Sequence, residues 1–251
     1  MTFIWSSLLG LLLLVPLLVF MFSAQDFPAD RVLHLALGTS LATIVFTSLS
    51  SIRAHHKRGA VRWDIFRSAA AGLVIGTFLG AFVADWLDSR YLAIVFVIFV
   101  SYSATQMILD KKPKPSRRLP GPIGVAAGSG VVGVISSLVG AGGGVVSIPL
   151  MVMCNVPMRN AVGTSAALGF PIALAGAAGY AYTGLGQENL PAMSLGYVYL
   201  PALIGIVIGT FVTVPAGARL AHTMPVTRLK RIFAVILFAL AAKMLWSVFT
   251  G

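Results

Sequence analysis

Apolar runs as long as a bilayer is thick recur along this chain, and they limit its fold more than any other feature. A helix needs about 20 apolar residues to cross the hydrocarbon core of a membrane. Residues 3–23, 32–52, 68–87, 91–109, 158–182, 195–220 and 232–249 form such runs. In lipid every backbone N–H and C=O must be paired within the protein, which makes helices the spanning elements. Only 10% of the residues are charged and mean hydropathy is +0.93, whereas a soluble domain carries roughly 25% charged residues. The expected fold is all-α: a polytopic membrane protein of about eight transmembrane spans. The first run lacks a basic leading segment and a small-residue cleavage site, so it reads as a retained helix and not a signal peptide.

One stretch does not fit a continuous helix. Gly140-Ala-Gly-Gly-Gly-Val-Val-Ser-Ile-Pro149 frees the backbone within an apolar segment, and the run after it, 148–156, is too short to span a bilayer. Irregular backbone at membrane depth must face protein or a watery cavity. A glycine-broken, re-entrant segment is therefore predicted, with residues 148–156 as its half-helix.

The chain also repeats itself. Ala36-x-Gly38-Thr39-Ser40 recurs as Ala161-x-Gly163-Thr164-Ser165, and Gly72-Leu-Val-Ile-Gly-Thr-Phe78 recurs as Gly205-Ile-Val-Ile-Gly-Thr-Phe211, differing only at the second position. Residues 1–109 read as the first membrane repeat, 110–120 as a basic, proline-broken cytoplasmic linker, and 121–251 as the second repeat. Glycines at 72, 76 and 80 form a stripe suited to close helix packing.

Charge orients the repeats. The eighteen Lys and Arg against seven Asp and Glu gather in particular loops, the signature of cytoplasmic anchoring and not of nucleic-acid binding. In the first half a strongly basic loop (Arg53, His55, His56, Lys57, Arg58, Arg62, Arg67) precedes a near-neutral turn. In the second half the loop at Gln187 to Asn189 has no basic residue and the later turn, Arg219 to Arg231, is basic. Corresponding loops of opposite bias predict inverted repeats, the alternative being two parallel sets of four helices. Inverted repeats with broken helices are a plan of secondary transporters, with substrate held near the midplane.

These residues also resemble a known family, the TauE/SafE sulfite exporters, also called the 4-toluene sulfonate uptake permease group. The resemblance rests on Gly140-Ala-Gly-Gly-Gly144 with Ile148-Pro149-Leu150, on Asn160-Ala-Val-Gly-Thr-Ser165, and on Pro28, Ala36 to Ser40, His56, Gly59 and Trp63. It implies a multi-pass transporter of the bacterial inner membrane for sulfite, organosulfonates or related small anions. One departure stands out. With Pro16 aligned on Pro149, residues 7–14 carry only Gly10 opposite the glycine-rich stretch, so the first repeat lacks the break that the family usually has there.

Backbone N–H groups at the start of a broken helix can hold an anion. Gly142, Gly143 and Gly144 are the expected backbone contacts. Gly38, Thr39, Ser40, Gly163, Thr164, Ser165 and Ser136 are the candidate side-chain and close-approach contacts, with helix packing the competing role for Gly-Thr-Ser. Arg53 and His56 are read as a vestibule that gathers anions, or else as a solvated face. Lone Cys154 excludes an internal disulfide or multi-cysteine metal site, and no cofactor or metal is expected. Every Asp and Glu falls in a loop or at the end of a span, so no carboxylate proton relay and no paired acidic residues for hydrolysis are expected at membrane depth. The expected function is a non-enzymatic carrier exporting a small anion with the membrane potential. Its partners are that anion and the bilayer, with room for a homo-oligomer. An anion channel, a non-transporting membrane protein and an intramembrane hydrolase are the competing readings.

Overall fold

The computed structural model describes residues 2–109, 116, 119–223 and 226–250. The helices, in chain order, are α1 (Thr2–Ser23), α2 (Val32–Lys57), α3 (Trp63–Trp86), α4 (Ser89–Leu109), α5 (Pro122–Val139), α6 (Gly144–Met153), α7 (Met158–Gly184), α8 (Leu200–Thr223) and α9 (Val226–Thr250). A two-stranded antiparallel ribbon, β1 (Ser194–Leu195) with β2 (Val198–Tyr199), precedes α8. The fold is thus all-α apart from this ribbon, as expected for a helical membrane protein. Four of the described helices, α2, α3, α5 and α7, are long and apolar enough to cross a membrane by length and composition. Most of the predicted 110–120 linker lies outside the described residues.

Several boundaries differ from the sequence reading, and most of the predicted basic turn from Arg219 to Arg231 is helical, because α8 ends at Thr223 and α9 starts at Val226. The basic segment after the second run is not a loop: α2 continues through Arg53, His55, His56 and Lys57, and α3 starts at Trp63, so the connection is only residues 58–62. The charged residues extend the helices because long side chains at helix ends reach water while the backbone stays hydrogen-bonded. The short half-helix is Gly144–Met153 and not 148–156, since Pro149, in its second turn, replaces only one donor and the chain turns at Asn155, φ 61°. The run from residue 195 begins as the ribbon, and helix starts at Leu200.

Small residues set the core. α3 and α5 run side by side in the same direction. A Cβ on Gly76 would lie 2.8 Å from the Gly130 Cα, and one on Gly80 would lie 2.7 Å from the Ser137 Cβ. Helices without side chains at the crossing approach until backbones touch, which is how association gains contact energy in lipid. The matching glycines of the second heptapeptide, Gly205 and Gly209 on α8, have nothing within 4 Å of an added Cβ among the described residues. A nearly identical heptapeptide therefore packs one helix tightly and, among the described residues, leaves the glycines of another without a close neighbour.

α2 and α7 run in opposite directions against each other. Asn160, at the start of α7, donates to the Ala60 carbonyl just beyond the end of α2, while Tyr180, near the end of α7, lies against Gly38 near the start of α2. These two helices are the most buried of the long ones and form the centre of the bundle. The two ends of the bundle differ in charge. Arg58, Arg62 and Arg159 gather at one end, where Arg159 donates to the Arg58 carbonyl. Asp30, Asp85 and Asp88 gather at the other.

Candidate functional site

The break is where the bundle holds backbone that is not helical. α5 ends at Gly140 in the left-handed conformation, φ 63°, with its N–H donating to the carbonyls of Ser136 and Ser137. Gly143 is left-handed again, φ 71°, and opens α6. Two left-handed residues three apart, Gly140 and Gly143, reverse the chain, and only glycine adopts that conformation at no steric cost. α5 enters from the Arg-rich end, and α6 returns to it, since the Met153 carbonyl at the foot of α6 accepts from Ser116 N and α7 starts beside Ala60. The pair is a re-entrant hairpin whose tip lies among Leu37 and Ile44 of α2 and Gly169 and Ile172 of α7.

Donors are concentrated at that tip. Among the described residues no side chain caps α6. Among the described residues no acceptor meets the N–H groups of Gly142, Gly144 and Val145, whereas Gly143 N donates to the Ala141 carbonyl at 2.8 Å. Unpaired amides at a helix start carry the positive end of its dipole. The Ser136 hydroxyl is 2% exposed and unpartnered, and it lies 3.3 Å from where a Cβ on Gly143 would be. The walls, Ile44, Gly169 and Ile172, are apolar or bare.

The candidate residues divide into two groups. Ser40 reaches the break from α2 and donates to the Gly140 carbonyl at 3.0 Å. Ser165 reaches α6 from α7 and pairs with Ser147 at 2.9 Å. Ser147 donates its own hydroxyl to the Gly143 carbonyl at 2.8 Å, so Ser165 must be the donor to Ser147. Ser40 and Ser165 thus steady the break from both sides. Gly38, Thr39, Gly163 and Thr164 do not reach it. Thr164 Oγ1 accepts from the Arg62 N–H at 2.9 Å, and Thr39 Oγ1 accepts from the Tyr199 N–H at 3.0 Å. A Cβ on Gly163 would lie 2.6 Å from the Ala60 carbonyl, and Gly38 packs on the Tyr197 carbonyl in the same way. Gly38 and Thr39 hold the segment that leads into α8, and Gly163 and Thr164 hold the segment that leads into α3.

Arg53 and His56 lie exposed on the last turns of α2, at the Arg-rich end and away from the tip. His56 accepts from Trp63 Nε1 at 3.3 Å and meets that indole edge-on.

At the other end a network closes the bundle that the sequence reading did not anticipate. Arg31 Nη1 donates to Tyr197 Oη at 2.8 Å, and Tyr197 donates to Asp85 Oδ1, also at 2.8 Å. Burial first, and then the bond to Asp85, push the Tyr197 hydroxyl above the ordinary tyrosine value, so it remains a neutral donor at physiological pH. His34 stacks on Tyr197 with ring centroids 5.1 Å apart and donates Nε2–H to the Ala84 carbonyl at 2.9 Å. A cavity of about 430 Å³ lined by Pro28, Asp30, Arg31 and residues 186–189 lies beside the network. The only sequence signal was the presence of Arg31, His34 and Asp85 at ends of spans, which by itself did not pair them.

A helical membrane protein with a re-entrant hairpin at its centre belongs to the transporter class in its relatives' names as well. The sulfite exporter TauE/SafE family model matches residues 4–244, and the chain belongs to that family. A probable membrane transporter protein of Haemophilus influenzae is 34% identical over 236 residues, covering 94% of this chain and 89% of its own length. Similar proteins, also named probable membrane transporters, occur in Bacillus subtilis (28% identical, 79% of each chain) and Methanocaldococcus jannaschii (30% identical, 84% of this chain and 77% of its own). No solved structure matches the chain. The protein is therefore a multi-pass membrane transporter.

Proposed function

We propose that this transporter exports a small sulfur-containing oxyanion, sulfite or an organosulfonate, bound at the tip of the α5–α6 hairpin. The observation that carries the reading is the uncapped start of α6. Its unengaged amides at Gly142, Gly144 and Val145 and the unpartnered Ser136 hydroxyl converge in the middle of a membrane bundle. Sulfonyl and sulfite oxygens are acceptors, and these groups are donors. The apolar walls suit an anion stripped of most of its water.

Inverted repeats are part of the same reading, and the reciprocal latches support it. Thr39 with Tyr199 and Thr164 with Arg62 are equivalent contacts exchanged between the repeats, and α2 and α7, which carry them, run in opposite directions. The Arg-rich end is assigned to the cytoplasm of a bacterial inner membrane. The Arg31–Tyr197–Asp85 network then closes the outer side, which leaves the hairpin to open inward. An interior negative by 100 mV favours outward movement of each negative charge by about 2.3 kcal/mol. Arg53 and His56 stand at the inner mouth and raise the local anion concentration.

Purified protein screened by thermal shift against sulfite, sulfate, thiosulfate, taurine and sulfoacetate tests the substrate class. Saturable stabilisation by one of them, with saturable flux and counterflow of it in proteoliposomes, is expected. No shift with any of them overturns the substrate, and flux that does not saturate assigns a channel.

A further inference from the structure

The tip of the hairpin has two electrical ends. α6 begins there with free amides, and α5 ends there with free carbonyls: no donor among the described residues meets the carbonyls of Leu138 and Val139. The end of α5 carries the negative end of a helix dipole. Beside it, three elements converge. Thr77 of α3 and Ser137 of α5 are both 0% exposed, and neither hydroxyl has a partner among the described residues. Tyr180 of α7 is also fully buried and donates its hydroxyl to the Ser137 carbonyl at 3.1 Å, which leaves the lone pairs of its oxygen free. Packing fixes all three, Tyr180 through its Cβ, 3.0 Å from where a Cβ on Gly38 would be. A Cβ on Gly133 would lie 2.9 Å from Thr77 Oγ1, one on Gly80 would lie 2.7 Å from Ser137 Cβ, and one on Gly176 would lie 3.1 Å from Thr77 Cγ2.

A buried hydroxyl without a partner costs about 1–3 kcal/mol. Two in one three-helix junction, next to open carbonyls, call for a ligand that accepts electron pairs. All the groups offered are neutral oxygens, which suit a hard cation. A divalent ion draws on carboxylates, and the acidic residue nearest in sequence, Asp85, is already held by Tyr197 at the end of α3. We propose that the junction of Thr77, Ser137 and Tyr180 with the last turn of α5 is a binding site for a small monovalent cation, sodium in particular. Half-helix C-termini and unwound carbonyls serve sodium in transporters built from broken helices. The cation lies at the opposite end of the break from the proposed anion, so each offsets the charge of the other. That mutual effect rests on the proposed anion site, but cation binding itself does not.

The test uses the whole purified protein without added sulfur anions. Melting temperatures are measured in sodium, potassium and choline chloride at constant ionic strength. Sodium is expected to raise the melting temperature saturably, potassium less, and choline not at all. Thr77→Val and Ser137→Ala should each remove the sodium effect, and Thr77→Ser should retain it. Equal melting in sodium and choline overturns the site and leaves the hydroxyls to a buried water. A sodium effect that survives in folded Thr77→Val and Ser137→Ala overturns the location. Should those variants not fold, sodium protection of Thr77→Cys in the otherwise cysteine-free Cys154→Ser protein from a small thiol reagent decides the point, and protection equal to that in choline counts against it. The anion reading fails separately, by absence of a sulfite shift at saturating sodium.

Discussion

Gly143 and Ser136 make opposite demands on a substitution. Gly143 is left-handed and closely overhung by Ile172, so Gly143→Val adds about 1–2 kcal/mol of backbone strain to a steric clash. Loss of saturable anion flux together with a lower melting temperature is expected. Ser136 has no protein partner to lose. Ser136→Ala should therefore leave melting unchanged or raise it, while weakening anion binding about five- to tenfold, the equivalent of one hydrogen bond. Titration of sulfite by thermal shift checks this, and unchanged affinity would remove Ser136 from the site. Ser40→Ala is the contrast, because it strips the Gly140 carbonyl of its donor and should cost about 1 kcal/mol of stability.

Between helices, the repeated motifs separate into those that hold and those that do not. Thr39→Val and Thr164→Val each leave a backbone N–H, of Tyr199 or Arg62, without its acceptor. Each should lower stability by about 1–3 kcal/mol, and Thr→Ser at the same positions should restore it. Melting curves of the four variants compare the two latches, and very different losses would argue against their equivalence. Gly76→Leu should prevent assembly, because the side chain would enter the Gly130 backbone. Gly209→Leu, at the identical position of the second heptapeptide, should be tolerated because nothing lies within 4 Å. Yield of monodisperse protein after extraction distinguishes the two. The difference follows what each helix packs on. α3 packs on α5, one arm of the hairpin, and α1 is a single helix, Thr2–Ser23, with no such pair of arms for α8 to pack on.

For the molecule as a whole, the charge difference between the two ends makes orientation measurable. In a Cys154→Ser background, Glu188→Cys should react with a membrane-impermeant thiol reagent from outside the cell, and Lys57→Cys only after the membrane is opened. The reverse pattern would reverse the assigned sidedness and with it the reading of Arg53 and His56 as an inner mouth. Helical class, break and family were legible in the sequence, because each depends on local chemistry. Apolar length forces helices in lipid, glycine clusters permit left-handed turns, and charge collects where loops meet water. Helix ends were misplaced at Lys57 and Trp63 because hydropathy stops where charge begins, while helical hydrogen bonding continues, and at Met153 because the left-handed turn at Asn155 leaves no mark in hydropathy. The roles within Gly-Thr-Ser were not legible either. Glycine and threonine latch the segments that enter α8 and α3, and serine alone reaches the break, since neighbouring residues on a helix point about 100° apart. The same holds for Arg31, Tyr197 and Asp85, and for Thr77, Ser137 and Tyr180. They are far apart in the chain, and only the crossing of small-residue helices at backbone contact brings their polar atoms to one place.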